Sequence, residues 1–169
     1  MRLLSFAAGL LAIAAVASAD DKKGGRTPEA KGTFAFDGKT YKVAGALAYA
    51  TTVGDMKRTV VILCEKSLDA AQLKQSLKKY GDARDLIIYA STIEFAFDDK
   101  GTFRELAILT HDGGMKHVSA DEVKDHKATV TITDAAAKGK LTVAKENRET
   151  LTKHTYRFDV TFDLLVTRP

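Results

Sequence analysis

The last segment of the chain alternates apolar and polar side chains, and this feature constrains the possible folds more than any other. Apolar residues take every second position: Tyr156, Phe158, Val160, Phe162, Leu164 and Val166. The residues between them are mostly polar or charged: Thr155, Arg157, Asp159, Thr161 and Asp163. Successive side chains of a strand point to opposite faces of a sheet, so the pattern predicts a strand with one face on a core and the other in water.

Weaker strand patterns recur along the rest of the chain. With the last segment, the predicted strands lie around residues 34–36, 41–50, 59–64, 86–97, 102–110, 128–133, 141–143 and 155–166. Turns such as Asp37-Gly38 and Asp98–Gly101 connect them over a few residues, and short connections require antiparallel neighbours. We therefore predict a mainly-β fold, an antiparallel β-sandwich or a partly closed barrel of about eight strands with one short helix.

The one helix is predicted at Ala70–Tyr80. Asp69 is placed to cap its first turn, and Gln72 completes a capping-box pattern. Gly81 is the residue type expected directly after a helix. Leu73, Leu77 and Tyr80 share one face, so we expect the helix to lie on a sheet or to close the end of a barrel.

The amino terminus has the pattern of a secretory signal peptide. A basic start is followed by the apolar run Leu3–Val16 and the small residues Ala17-Ser18-Ala19. The run is shorter than the roughly 20 residues that cross a bilayer. We predict a signal peptide at residues 1–19, a flexible polar leader at 20–31, a single β-rich domain at 32–169 and a secreted or periplasmic protein. No transmembrane segment is predicted after cleavage.

Composition excludes several classes of protein. The 169 residues are 45% hydrophobic and 28% charged, close to a globular average, which argues against disorder. Cys64 is the only cysteine, so no disulfide can form within the chain. The predicted mature chain has a net charge of +3, since Arg2 is lost, and its aromatic residues alternate into the core. This favours weak attraction to anionic envelope polymers or lipid headgroups over nucleic-acid binding.

Three segments, Gly32–Tyr41, Val60–Asp69 and Thr155–Asp163, resemble a group of uncharacterised exported bacterial proteins. Those proteins carry a signal peptide or lipobox followed by one β-rich domain. The resemblance covers most of the predicted mature chain and implies an exported bacterial protein of this shape. It implies no activity and no site residues.

Histidines and acids in the segment 111–126 are the candidate metal ligands. His111, Asp112, His117 and His126 carry donor types that bind zinc or copper when three or four converge. Gly113-Gly114 could fold the segment so that the rings of His111 and His117 meet. Their spacing matches no named metal motif, and a solvated loop explains the same residues.

Two further groups have a possible chemical role. Glu94 lies in the middle of a predicted strand, on the face opposite to that of Ile93 and Phe95. Glu105 lies in the next predicted strand. Paired carboxylates can act on sugars, although Arg104 and Lys100 are equally near and solvated charges explain the pattern as well. Cys64 is expected to be buried among β-branched residues, and no serine lies in a nucleophile elbow.

We expect an exported, non-catalytic β-domain that serves as a binding or structural module. No cofactor is predicted, and the partner is an envelope component or a small apolar ligand. One alternative is a carrier that holds an apolar ligand in a barrel mouth, with Ala44, Ala46, Ala48 and Ala50 leaving space inside. The other is a metal-dependent enzyme that uses His111, His117 and His126.

Overall fold

A computed structural model describes residues 29–112, 116–120 and 123–168, with only the backbone for 117–120. It contains ten strands and two helices in these ranges. In chain order they are β1 (Glu29–Phe36), β2 (Lys39–Lys42), β3 (Gly45–Val53), β4 (Met56–Cys64), α1 (Ala70–Tyr80), α2 (Arg84–Ile87), β5 (Thr92–Asp98), β6 (Phe103–Thr110), β7 (Lys116–Ala120), β8 (Lys127–Ile132), β9 (Ala136–Arg148) and β10 (Thr155–Thr167).

The strands form one mixed sheet with two antiparallel halves. The terminal half has the order β2-β1-β10-β9-β8, and the central half has the order β3-β4-β5-β6-β7. The end of β10 joins them, since Val166 and Thr167 pair in parallel with Ala48 and Tyr49. The mainly-β prediction is confirmed, and the sheet is not closed into a barrel. The parallel junction is a departure from the purely antiparallel arrangement that short connections predict.

The main core lies between the two halves. The rings of Phe95 and Phe158, one from each half, meet edge to face with centroids 5.1 Å apart. The rings of Phe97 and Phe162 form a second contact between the halves, tilted by 43° with centroids 6.3 Å apart. The alternation of the last strand is confirmed, because all of its apolar residues from Tyr156 to Leu164 are buried and Val166 packs against the same core. Burial of these rings supplies the largest share of the driving force for folding.

A second core lies on the outer face of the central half. Helix α1 has the predicted bounds, and its Asp69 cap accepts a hydrogen bond from the Ala71 N–H at 2.7 Å. Gly81 ends the helix at φ 78°, a left-handed conformation that glycine adopts without strain. Leu73 and Leu77 of the helix pack on Ile62 of β4. The central half is therefore covered on both faces, by the terminal half and by the helices.

The predicted long strand at 86–97 is wrong in its first part. Residues 84–87 form α2, and the strand starts only at Thr92. Ala83, Leu86 and Ala90 are buried and Ile87 is half-buried, which is helical spacing, whereas Ile88 and Tyr89 are 45% and 79% exposed. The Asp82 carboxylate accepts the Arg84 N–H and starts this turn. The even spacing of Ile87, Tyr89 and Ile93 was therefore a misleading signal.

The chain differs from expectation in two other places. The polar loop predicted at 111–125 contains strand β7, which pairs with β6. Strand β1 begins at Glu29, opposite Asp163 of β10, three residues before the predicted start of the domain. The predicted signal peptide (1–19) and residues 20–28 of the predicted leader lie outside the described residues. Neither of the two helices has the length and apolar character needed to cross a bilayer.

Candidate functional site

The two carboxylates Glu94 and Glu105 lie on the outer face of the central half. Glu94 is opposite Ala107, and Glu105 is opposite Ala96, in the register of β5 with β6. The two glutamates are thus diagonal neighbours on one face, with Cα atoms about 7–8 Å apart. The sequence left open whether Glu94 and Glu105 are neighbours, and the strand register shows that they are.

An open pocket of about 300 Å³ surrounds this pair. The two helices cover only part of the outer face of the central half. The region around Glu94 and Glu105, next to Gly81 at the end of α1, stays open. Its floor consists of apolar residues, Val60, Ala96 and Ala107. Its polar lining comes from six side chains: Tyr49, Thr51, Arg58, Asp82, Glu94 and Glu105. These residues come from four strands and from the segment between α1 and α2, so the pocket exists only in the folded chain.

Two of the three carboxylates in the pocket are held by arginines. Arg58 Nη1 lies 3.0 Å from Glu105 Oε2. Arg84 Nη2 lies 2.7 Å from Asp82 Oδ2, and this guanidinium holds the pKa of Asp82 below its usual value. Arg104, which the sequence placed near the glutamate pair, binds Asp98 at 2.6 Å instead. The cation beside Glu105 therefore comes from the neighbouring strand β4.

Glu94 differs from its two neighbours. It forms no hydrogen bond or ion pair with any residue of the described ranges, and it lies in the middle of a strand with its carboxyl at the pocket wall. Burial raises the pKa of Glu94 from its ordinary value of 4.5 to about 7, and the nearby carboxylates of Asp82 and Glu105 add to the effect. The carboxyl thus exists in both protonation states at neutral pH.

Tyr49 forms the wall beside Glu94. Its side chain is buried, and its pKa is raised strongly by that burial and by the carboxylates of Glu94 and Asp82. A hydrogen bond from the Ala83 backbone opposes this shift. The hydroxyl therefore keeps its proton at any physiological pH and can donate it to an acceptor in the pocket.

The predicted metal ligands do not all converge. The Asp112 carboxylate forms an ion pair with Lys39, whose Nζ lies 2.6 Å away. It also accepts a hydrogen bond from the Tyr41 hydroxyl. These two bonds hold the pKa of Asp112 below its usual value, with the lysine as the larger cause. The His126 ring packs on Phe103 with centroids 5.2 Å apart, and its Nδ1 lies 2.6 Å from the Val123 carbonyl oxygen.

Strand β6 separates the histidines. His111 directly follows Thr110, the last residue of β6. The His126 ring packs on Phe103, the first residue of the same strand. A strand of this length spans about 23 Å, so one metal ion cannot contact both rings. Within the described ranges, no three His, Cys, Asp or Glu side chains lie close enough to hold a metal. The His117 backbone lies opposite Leu109, its side chain is outside the described residues, and metal binding at His111 and His117 stays a prediction.

Cys64 is buried, as predicted. Its Sγ accepts the Lys66 backbone N–H at 3.3 Å, and burial raises the pKa of the thiol. A thiol in this state is a poor nucleophile, because the thiolate is the reactive form. Cys64 is therefore a packing residue.

No protein-family model, curated protein or solved structure matches this chain. The resemblance to exported bacterial proteins therefore stays a prediction.

Proposed function

We propose that this protein is an exported, non-catalytic β-domain that binds a small molecule in the pocket on the outer face of its central half. The observation that carries the proposal is the Glu94 carboxyl, which lines an open pocket with no partner of its own among the described residues. Glu94 is half-buried at the wall of this pocket, so a ligand there would supply the partner that the described residues do not. The signal-peptide pattern at residues 1–19 supports export.

Two larger open pockets, of about 510 and 470 Å³, lie at other places on the surface. The space between the two halves is filled by aromatic and aliphatic side chains. Ala48, one of the alanines expected to leave room inside a barrel, is fully buried in that packed core. The apolar-carrier alternative places its ligand in a barrel mouth, and the sheet is not closed into a barrel.

The binding proposal is tested by filling the pocket. Ala107 lies on its floor, and Ala107→Trp would occupy much of the 300 Å³ while pointing away from the main core. Glu146→Trp is the matched control, because Glu146 is an exposed residue of β9 in the terminal half and lies away from the pocket. We would screen amines, carboxylates, alcohols and small sugars by saturation-transfer NMR.

The expected result is that a compound class binds the wild type and Glu146→Trp and fails to bind Ala107→Trp. Binding to no class, or equal binding to all three proteins, would overturn the proposal. Export is tested separately by expressing the full chain in a bacterial host. Recovery outside the cytoplasm with Asp20 as first residue supports it, and a full-length cytoplasmic product contradicts it.

A second candidate function is acid–base chemistry on a glycosidic bond. The observation that favours it is the pairing of a proton-holding Glu94 with a Glu105 that is bound by Arg58. Glycosidases use one carboxyl as an acid and a second as a carboxylate. Release of nitrophenol from a panel of nitrophenyl glycosides, lost in Glu94→Gln, would support this function, and absence of release across the panel would reject it.

A further inference from the structure

We infer that the molecule bound in this pocket is a small organic amine, whose ammonium group forms an ion pair with the Glu94 carboxylate. The inference rests on the proposed binding function and adds the chemical class of the ligand. It follows from the charges that face the pocket and from which of them already have a partner.

The charged groups come from every element that borders the pocket. Strand β4 contributes Arg58, β5 contributes Glu94, β6 contributes Glu105, and the segment between the helices contributes Asp82. Strand β3 contributes the neutral Tyr49 hydroxyl. Arg58 is bound to Glu105 and Arg84 to Asp82, so each of these carboxylates has a cation. Glu94 is the pocket carboxyl for which the described residues supply none.

The surroundings of Glu94 strengthen its attraction for a cation. Its cross-strand neighbours are Ile62 on one side and Ala107 on the other, both apolar. A charge pair in such a setting is screened less than one in water. An anionic ligand would lie beside three carboxylates and a single arginine, Arg58, that is already paired with Glu105, and a purely apolar ligand would leave Glu94 without a partner. An ammonium group is the match to Glu94, and the Tyr49 hydroxyl is available to an acceptor.

Size and charge narrow the class further. The volume of about 300 Å³ is at the lower end for small-molecule sites, so the amine is compact. The apolar floor of Val60, Ala96 and Ala107 suits a short hydrocarbon part. The Nε of Arg58 is buried without a hydrogen-bond partner in the described residues, so it is available to an acceptor group on the amine.

Binding of an amine to Glu94 is coupled to loss of a proton. The pKa of the free carboxyl is about 7, so at pH 6 most molecules must release a proton before the ion pair forms. Affinity should therefore rise about tenfold from pH 6 to pH 8 and then level off. A neutral ligand would show no such dependence through this group.

The test uses the full chain and isothermal titration calorimetry with propylamine and 1,4-diaminobutane. Propanol and propionate are the neutral and anionic comparisons of similar size. Titrations at pH 6 in two buffers of different ionisation enthalpy measure the number of protons released. Glu94→Gln keeps the shape of the side chain and removes the charge, and Glu146→Gln changes an exposed glutamate of β9 as a control.

The expected result is amine binding with release of about one proton at pH 6, a tenfold gain in affinity at pH 8, and loss of binding in Glu94→Gln only. Tighter binding of propanol or propionate, or amine binding unchanged in Glu94→Gln, would overturn the inference. If a compound of any class binds the wild type and this binding is lost in Ala107→Trp, the proposed binding pocket stands even though the amine inference fails. Absence of binding by every compound overturns both.

If Glu94→Gln does not fold, as judged by circular dichroism, the proton count and the pH dependence of the wild type decide the inference. Proton release near one supports it, and release near zero contradicts it.

Discussion

The outer faces of the two halves of the sheet have opposite characters. On the terminal half, lysines, threonines and aspartates form a solvated ladder, with Lys138–Asp163 and Lys140–Asp159 ion pairs at 3.5 and 3.6 Å. On the central half, helix α1 and the segment after it bury apolar residues and leave one pocket with a partly buried glutamate. One sheet thus has a face lined by charged and polar residues and a face where burial changes the chemistry of a side chain.

The strands show this difference in their sequences. Strand β10 alternates buried and exposed residues from Tyr156 to Leu164, whereas β4 is buried at every position from Thr59 to Cys64. A strand covered on both faces has no solvated side and needs apolar residues throughout. On the covered half, a polar side chain such as Glu94 is therefore an exception that needs a reason.

The largest expected effect comes from uncovering the central half. Leu73 is fully buried between α1 and the sheet, and Leu73→Ala should lower the free energy of unfolding by about 2–5 kcal/mol. Lys140→Ala, on the solvated face with a lysine side chain 60% exposed, should change it by less than about 0.5 kcal/mol. Urea denaturation followed by circular dichroism measures both. Similar losses for the two variants would show that the faces do not differ as described.

The next effect concerns the pH dependence of stability. Because the pKa of Glu94 is raised from 4.5 to about 7 on folding, the unfolded chain loses its proton first as pH rises. Glu94 therefore lowers the stability of the wild type progressively between about pH 4.5 and 7, with little further change above. The Glu94→Gln variant has no carboxyl at this position and keeps its stability as pH rises. At pH 8 its free energy of unfolding should therefore exceed that of the wild type by up to about 3 kcal/mol.

Thermal or urea unfolding from pH 4.5 to 8 checks this prediction. Glu146→Gln, on the exposed surface, should follow the wild-type profile. Parallel profiles for Glu94→Gln and the wild type would mean that Glu94 is solvated like the charges of the terminal half.

The smallest effect concerns the helix that covers the central half. Asp69→Ala removes the side-chain oxygen that accepts the Ala71 N–H, and should cost about 1 kcal/mol of stability. Asp69→Asn keeps an acceptor and should cost much less. Chemical denaturation of the two variants distinguishes loss of the cap from loss of the charge, and equal losses would assign the effect to the charge.

Part of the candidate site could be predicted from the sequence. Glu94 stands out as one charged residue in the strand Thr92–Asp98 whose other interior positions are apolar, and Glu105 lies in the next strand. The sequence did not reveal Tyr49, Arg58 or Asp82 as their neighbours. These residues are distant along the chain, and only the register of β3, β4, β5 and β6 places them at one pocket.

The sequence by itself determined the elements whose signals are local. The period of β10 and the cap, length and stop of α1 follow from interactions between residues a few positions apart. Only the tertiary structure decided that Arg84–Ile87 is helical, that β10 joins the two halves in parallel, and that Glu94 lies in a pocket. The physical reason is that each of these depends on what covers a surface, and burial is set by partners far away in the chain.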